Sequence, residues 1–412
     1  MFKALRSPNF KLFFYGQSVS VVGTWLQKTA VSWMVYSITG SVFLLGLATF
    51  LSMIPSLFLA PLAGSIIGRY NRHRSMIILQ SLAMLQAGVL AVLIYLKIYN
   101  ITFILALSLI QGIINAFDMT CRQTMMVDLV DNAEDLHNAV ALNSTLTNFA
   151  RIAGPALAGI ILHQYGEDIC FIGNFLSYIP VLTSLVLMKI KPFTKPTDKL
   201  NMMDDFIEGL DYVKNESQMA KMLLMLTCSS LFVISFNTLM PVFAKDIFNG
   251  NAQTFSWFES AAGIGSIVSA IYLANLKSSA NIDKIMIGAS ILLGISILVL
   301  SLSDSLVLAL ICMVLSGIGM MGQTSSINIY VQTSSSPRMR SRSISYYMMA
   351  YQGMIPVGSL VIGYISHFIG TRTTVAAQGI ICLISVAFYV YYKSHKKVEK
   401  VTMCPITYKN YF

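Results

Sequence analysis

Long apolar runs broken by short polar stretches set the rhythm of this 412-residue chain. The runs lie near 10–37, 42–68, 75–96, 101–121, 139–163, 170–190, 220–243, 254–275, 283–303, 305–330, 344–368 and 373–392. Each suits the ~20 residues that a helix needs to cross the ~30 Å hydrocarbon core of a bilayer. The pattern predicts an all-α membrane protein with twelve spanning helices. The first run is the least apolar, since it holds Gln17, Ser20, Thr24, Gln27, Lys28 and Ser32. Between the second and third runs stands Arg69-Tyr70-Asn71-Arg72-His73-Arg74. This basic knot reads as a tight turn at the cytoplasmic surface, where Lys and Arg are retained.

The same rule orients the whole chain. With the amino terminus inside, only Lys97, Lys245 and Arg372 fall in the outer loops, while Lys28 and Arg151 fall inside runs. Every other Lys and Arg falls on the cytoplasmic side, so both termini are expected there. The net charge of +10 is therefore read as topology and contact with anionic lipid rather than nucleic-acid binding. With 11% charged and 55% hydrophobic residues, the chain departs far from soluble composition. Its six cysteines are scattered, with neither CxxC spacing nor a neighbouring His, so neither a metal site nor a disulfide framework is expected. Met1–Lys11 has basic residues but no small-residue cleavage site, so the first run reads as an uncleaved anchor.

One connection is long. Residues 191–219 are polar and separate six runs (1–190) from six (220–393), and 394–412 form a basic tail. Within the connection, apolar Met202, Met203, Phe206, Ile207, Leu210 and Val213 alternate with Asp204, Asp205, Glu208 and Asp211 at helical spacing. This helix fits the membrane interface or a place under the bundle. The halves also look weakly repeated: Arg122-Gln123-Thr124 and Val331-Gln332-Thr333 end the fourth and tenth runs, and each is followed by a run with a central proline, Pro155 or Pro356. A six-plus-six parallel repeat marks one transporter architecture.

Charges inside membrane runs cost about 2.5–3.5 kcal/mol each at a helix centre. Here they are few: Lys28, Asp118, Arg151 and Glu259, with Arg122 at a helix end. Polar residues extend them into stripes at helical spacing. Gln17, Ser20, Thr24, Lys28 and Ser32 share one face, and Gln111, Asn115, Asp118 and Arg122 another. Ser144, Asn148 and Arg151 lead into Pro155; Ser256, Glu259 and Ser266, and Ser325, Asn328 and Gln332, complete the set. Lipid cannot satisfy such stripes, so they should line a water-filled path. Lys28 has no acid one turn away and needs Glu259, another distant acid or an anionic ligand. Each charge also has a structural reading: a helix pair for Asp118 and Arg122, a hydrogen-bond hub for Arg151, an outer-gate contact for Glu259.

Several stretches resemble the major facilitator superfamily, and within it the bacterial enterobactin-exporter-like (transmembrane secretion effector) group. They are Ser7–Phe13; Gly23-Thr24-Trp25-Leu26-Gln27 with Trp33, Tyr36 and Thr39-Gly40-Ser41; Gly64–Arg74; Ala116–Gln123; Asn138–Ala139, Leu142–Ser144, Asn148 and Arg151–Gly159; and Arg340-Ser341-Arg342. The resemblance implies two halves rocking about a central site lined by helices one, four, seven and ten. It implies a cytoplasmic gate at Gly64, Arg69, Arg72, Arg74, Arg122, Arg340 and Arg342, and an antiporter motif around Arg151. The loop motif usually carries an Asp where this chain has Gly68, so Asp118, Asp128 or Asp131 is the expected acidic partner.

These readings converge on a monomeric secondary transporter of the bacterial cytoplasmic membrane, in contact with membrane lipids. It is expected to export a small amphipathic, anionic molecule, siderophore or drug-like, by proton-coupled alternating access. Cavity residues are Gln17, Thr24, Lys28, Gln111, Asn115, Asn148, Arg151, Asn328 and Gln332; Asp118 and Glu259 are proton carriers. No nucleotide-binding motif, cofactor site, metal set or nucleophile–base pair is expected, so the chain does not read as an enzyme. A lipid or lysolipid flippase, an uncoupled facilitator, and a transport-inactive sensor or scaffold are the alternatives.

Overall fold

The computed structural model describes residues 3–132, 135–190, 202–275, 281–336 and 339–402, without the side chains of a few residues inside these segments. A short turn, Lys3–Arg6, leads into the first six long helices: α1 (Pro8–Thr39), α2 (Val42–Arg69), α3 (Arg72–Tyr95), α4 (Ile101–Leu129), α5 (Leu136–Gln164) and α6 (Glu167–Leu187). A shorter helix, α7 (Met202–Asn215), follows the long connection. The second six are α8 (Ser217–Ile247), α9 (Ala252–Ala274), α10 (Ile282–Leu302), α11 (Leu306–Ser334), α12 (Arg342–Ile369) and α13 (Thr371–Thr402). Among the described residues, ten of these twelve are long and apolar enough to cross a membrane by length and composition.

Local chemistry sets the helix ends. Ser41, Asn71, Asn100, Asn251 and Asn281 accept hydrogen bonds from first-turn amides of α2, α3, α4, α9 and α10. Gly40 closes α1 with φ of 60°, the left-handed region that glycine adopts freely. The basic knot is shorter than its sequence suggests. Only Tyr70 and Asn71 lie between helices, and Arg72, His73 and Arg74 form the first turn of α3. Cations at a helix start oppose the helix dipole, so this placement serves their partners rather than the helix.

Two helices are irregular where proline removes a backbone donor. In α8, a 3-10 stretch Ile234–Leu239 and a π stretch Phe243–Ile247 flank Pro241. In α12, a π stretch Met349–Gly353 precedes Pro356, whose missing N–H frees a carbonyl one turn earlier.

Apolar packing divides the molecule by depth. At the end that holds the Arg72 turn, one buried cluster around Phe10, Ala83, Met125 and Val181 belongs to α1–α6, and another around Met222, Ile327 and Tyr389 belongs to α7–α13. At the opposite end the clusters are shared. Trp33 and Val42 pack into the second half's cluster, and Val242 into the first half's. Gly46 of α2 meets α12 so closely that a Cβ there would stand 3.3 Å from the Gly363 Cα. At mid-depth Leu57 packs on Gly353. The halves thus close on each other from the middle of the bundle to the end opposite the Arg72 turn.

The linker helix α7 lies under the second half. Glu208 pairs with Arg342, and the Tyr212 hydroxyl accepts from the Ser336 amide at 3.1 Å. The connection before it (191–201) and the end of the tail (403–412) lie outside the described residues.

Candidate functional site

Directly below the closed outer side sit three charges from three helices. Lys28 of α1 and Arg151 of α5 belong to the first half, and Glu259 of α9 to the second. Glu259 and Arg151 both act electrostatically on Lys28. None of the three forms an ion pair within 4.0 Å or a side-chain hydrogen bond among the described residues. Lys28 stands near the middle of α1 and is exposed; Arg151 and Glu259 are half-buried.

Packing fixes where these side chains start. The Lys28 ammonium stands over the Trp25 ring, 4.7 Å from its centroid. Trp25 in turn rests against Gly154, where an added Cβ would lie 3.2 Å from the Trp25 carbonyl carbon and 3.1 Å from the Leu26 nitrogen. Helices α5 and α9 meet through Gly159 on Ser256 and Gly263 on Ile152. The Ser256 and Ser260 hydroxyls, flanking Glu259, are buried without a hydrogen-bond partner among the described residues. Three charges without an ion pair or side-chain hydrogen bond among the described residues form a polar site able to receive a charged ligand.

Above this site the halves are latched. The Tyr36 hydroxyl donates to the Asp246 carboxylate. Lys245 donates to the Ser37 carbonyl at 3.1 Å and lies 5.6 Å from the Tyr36 ring centre. Trp33 stacks on Phe255 at 6.3 Å, and Asn251 bonds His163 at 3.2 Å.

The other expected residues separate into groups. Gln17 and Asp118 differ from the cavity reading, because both are buried inside the first half. Asp118 accepts from Gln80 at 2.6 Å and from Arg122. Gln17, with its amide oxygen turned toward Arg122, accepts from both terminal guanidinium nitrogens at 3.0 and 2.8 Å. A carboxylate held this way has its lone pairs engaged by its own half, which fits a structural role better than proton transfer. Thr24 donates to the Ser20 carbonyl at 2.9 Å. Gln111 bonds Asn115 at 3.0 Å, and Gln332 bonds Asn328 at 2.9 Å. Gln332 is exposed toward the cytoplasm; Asn148 is half-buried one turn before Arg151.

Of the expected gate residues, Arg72, Arg122 and Arg342 form ion pairs on their own side of the molecule. Arg72 reaches Asp128 at 3.2 Å and the Thr124 carbonyl at 3.3 Å. Arg74 and Arg340 are exposed, and Arg342 is held by Glu208. Arg69 and the surroundings of Gly64 and Gly68 lie outside the residues whose side chains are described.

Several contacts escape sequence reading. Tyr36 and Asp246 are 210 positions apart, and no periodicity links them. Gln27, Gln86 and Asn174 form a buried amide chain, at 3.3 and 2.7 Å, behind the charge site. The adjacent opposite charges Lys245-Asp246, ending a membrane run on the outer side, were the available signal for the latch.

The transmembrane secretion effector family model matches residues 1–408. Over 393 residues the chain is 26% identical to the staphyloferrin A transporter of Staphylococcus aureus (strain NCTC 8325 / PS 47), covering 95% of this chain and 98% of that protein. It is 21% identical over 386 residues to macrolide efflux protein A of Streptococcus pyogenes, covering 91% and 95%. The nucleoside transporter NupG superposes with a TM-score of 0.72 at 16% identity, over 94% of this chain and 98% of that one. An inward-facing, unoccupied bacterial homolog of the human lysosomal transporter Spinster gives 0.71 at 13%, over 93% and 96%. Such low identities show the fold alone. With the twelve helices and the family match over almost the whole length, the chain belongs to the transmembrane secretion effector family, membrane transporters of the major facilitator superfamily and not enzymes.

Proposed function

We propose that this protein exports a small anionic organic molecule across the bacterial cytoplasmic membrane in exchange for protons, as a monomer with both termini in the cytoplasm. The observation that carries the reading is the cluster of Lys28, Arg151 and Glu259, three charges from helices of both halves with no ion pair or side-chain hydrogen bond among the described residues. Two cations and one carboxylate leave a net positive site in a low-dielectric bundle, where an anionic ligand offsets the cost of burying them. Glu259 is the proton carrier in this reading, since Asp118 is engaged within the first half. A carboxylate with no fixed partner can exchange its proton as the site changes sides. Similarity to the staphyloferrin A transporter and to macrolide efflux protein A supports a siderophore or drug-like molecule as the cargo in this reading.

The test is flux in reconstituted vesicles with panels of anionic and cationic organic cargo. Lys28→Ala is expected to lower anionic flux at least ~tenfold and leave cationic flux near wild type, matching the loss of one desolvated charge contact. Equal losses for both panels contradict charge selection.

A further inference from the structure

We propose that Trp25 is a positioning residue, which holds the Lys28 ammonium at the cargo site and is itself held by the absence of a side chain at Gly154. This rests on the reading of Lys28 as a cargo-binding cation. Lys28 is one helical turn beyond Trp25 on α1, and its ammonium stands 4.7 Å from the ring centre. An unpaired ammonium on a four-carbon stem samples many rotamers; an indole face gives it one favoured place without neutralising it. Helices α1 and α5 touch at Gly154, where a Cβ would press on the Trp25 Cβ, on its backbone at 3.2 Å and on the Leu26 nitrogen at 3.1 Å, so this contact sets where the Trp25 side chain begins. Arg151 lies one turn before Gly154 on α5. Both helices run from cytoplasm to outside, so the Trp25–Gly154 contact sets Lys28 and Arg151 about 9 Å apart along the axes. One packing contact thereby fixes the spacing of the two cations that would meet an anion.

The test has two arms on the full-length protein. In the first, Trp33→Phe and Trp257→Phe leave Trp25 as the sole tryptophan of the original three. Adding Lys28→Met or Gly154→Ala to this protein is expected to shift the Trp25 emission maximum, because the charge leaves the ring or the ring moves. Unchanged emission in both overturns the proposal whether or not the cargo is anionic. In the second, Trp25→Phe keeps a ring face and should retain transport of any cargo whose flux depends on Lys28. Trp25→Leu should raise its half-saturation concentration about tenfold with little change in maximal rate. Equal behaviour of the Phe and Leu variants, at wild-type melting temperature, also overturns it. A cargo panel indifferent to Lys28 itself sinks the anionic-export reading instead, and the emission arm still decides the role of Trp25.

Discussion

Asp118 and Asp128 both pair with arginine, and their surroundings give the pairs different weight. The Asp118 side chain is 11% exposed and that of Arg122 19%, with Gln80 and Gln17 completing the network. Asp128 and Arg72 are 35% and 29% exposed. Removing one partner of a buried pair strands a charge and costs ~3–5 kcal/mol, whereas exposed pairs contribute ~0–1 kcal/mol. Asp118→Ala should therefore lower the melting temperature in detergent far more than Asp128→Ala. Comparable losses would mean that water reaches both pairs equally. At this scale the sequence was informative about cost and about the partner one turn away, Arg122 for Asp118, and silent about partners on other helices. Lys28, Arg151 and Glu259 were legible as expensive charges in apolar runs, since hydropathy alone exposes them. That Asp118 would be engaged by Gln80 of another helix, 38 positions away, depends on helix docking that no local pattern records.

Helices carry the next level of the account. The crossing of α2 and α12 uses Gly46 against the Ser359 carbonyl and Gly363 against the Val42 carbonyl, the latter with room for a Cβ only at 2.9 Å. Small residues at such a crossing let two helix backbones approach. Gly46→Leu should force them apart on the outer side. A cysteine placed at Ser41 would then react faster with a membrane-impermeant maleimide than in the wild-type background. Unchanged labelling would mean that this crossing does not hold the outer side shut. The twelve spans were readable because each must satisfy its backbone within itself and be apolar over bilayer thickness. The π stretch before Pro356 was not, because proline frees a carbonyl without specifying how the helix recovers. The placement of α7 was open for a related reason. Its amphipathic spacing fits lipid or protein equally, and the Glu208–Arg342 pair places it under the second half.

Across the whole molecule, two inner apolar clusters stay within their halves while the outer ones are shared. Such an arrangement permits rocking: opening outward breaks the Tyr36–Asp246 latch and the α2–α12 crossing without disturbing either inner core. Phe43 and Tyr364, whose rings lie 6.3 Å apart across the halves, mark a place to test it. A short cleavable thiol crosslinker joining Phe43→Cys to Tyr364→Cys should stop transport, and cleaving it should restore the rate. Transport that continues with the link intact would exclude outward opening as part of the cycle.

The most direct measurement is proton movement driven by cargo in vesicles holding the purified protein, wild type beside Glu259→Gln. An anionic cargo gradient should drive protons the opposite way in wild type. Glu259→Gln should still exchange labelled for unlabelled cargo while moving no protons. Full coupling in Glu259→Gln, or wild-type transport indifferent to both the pH gradient and the membrane potential, would contradict the account.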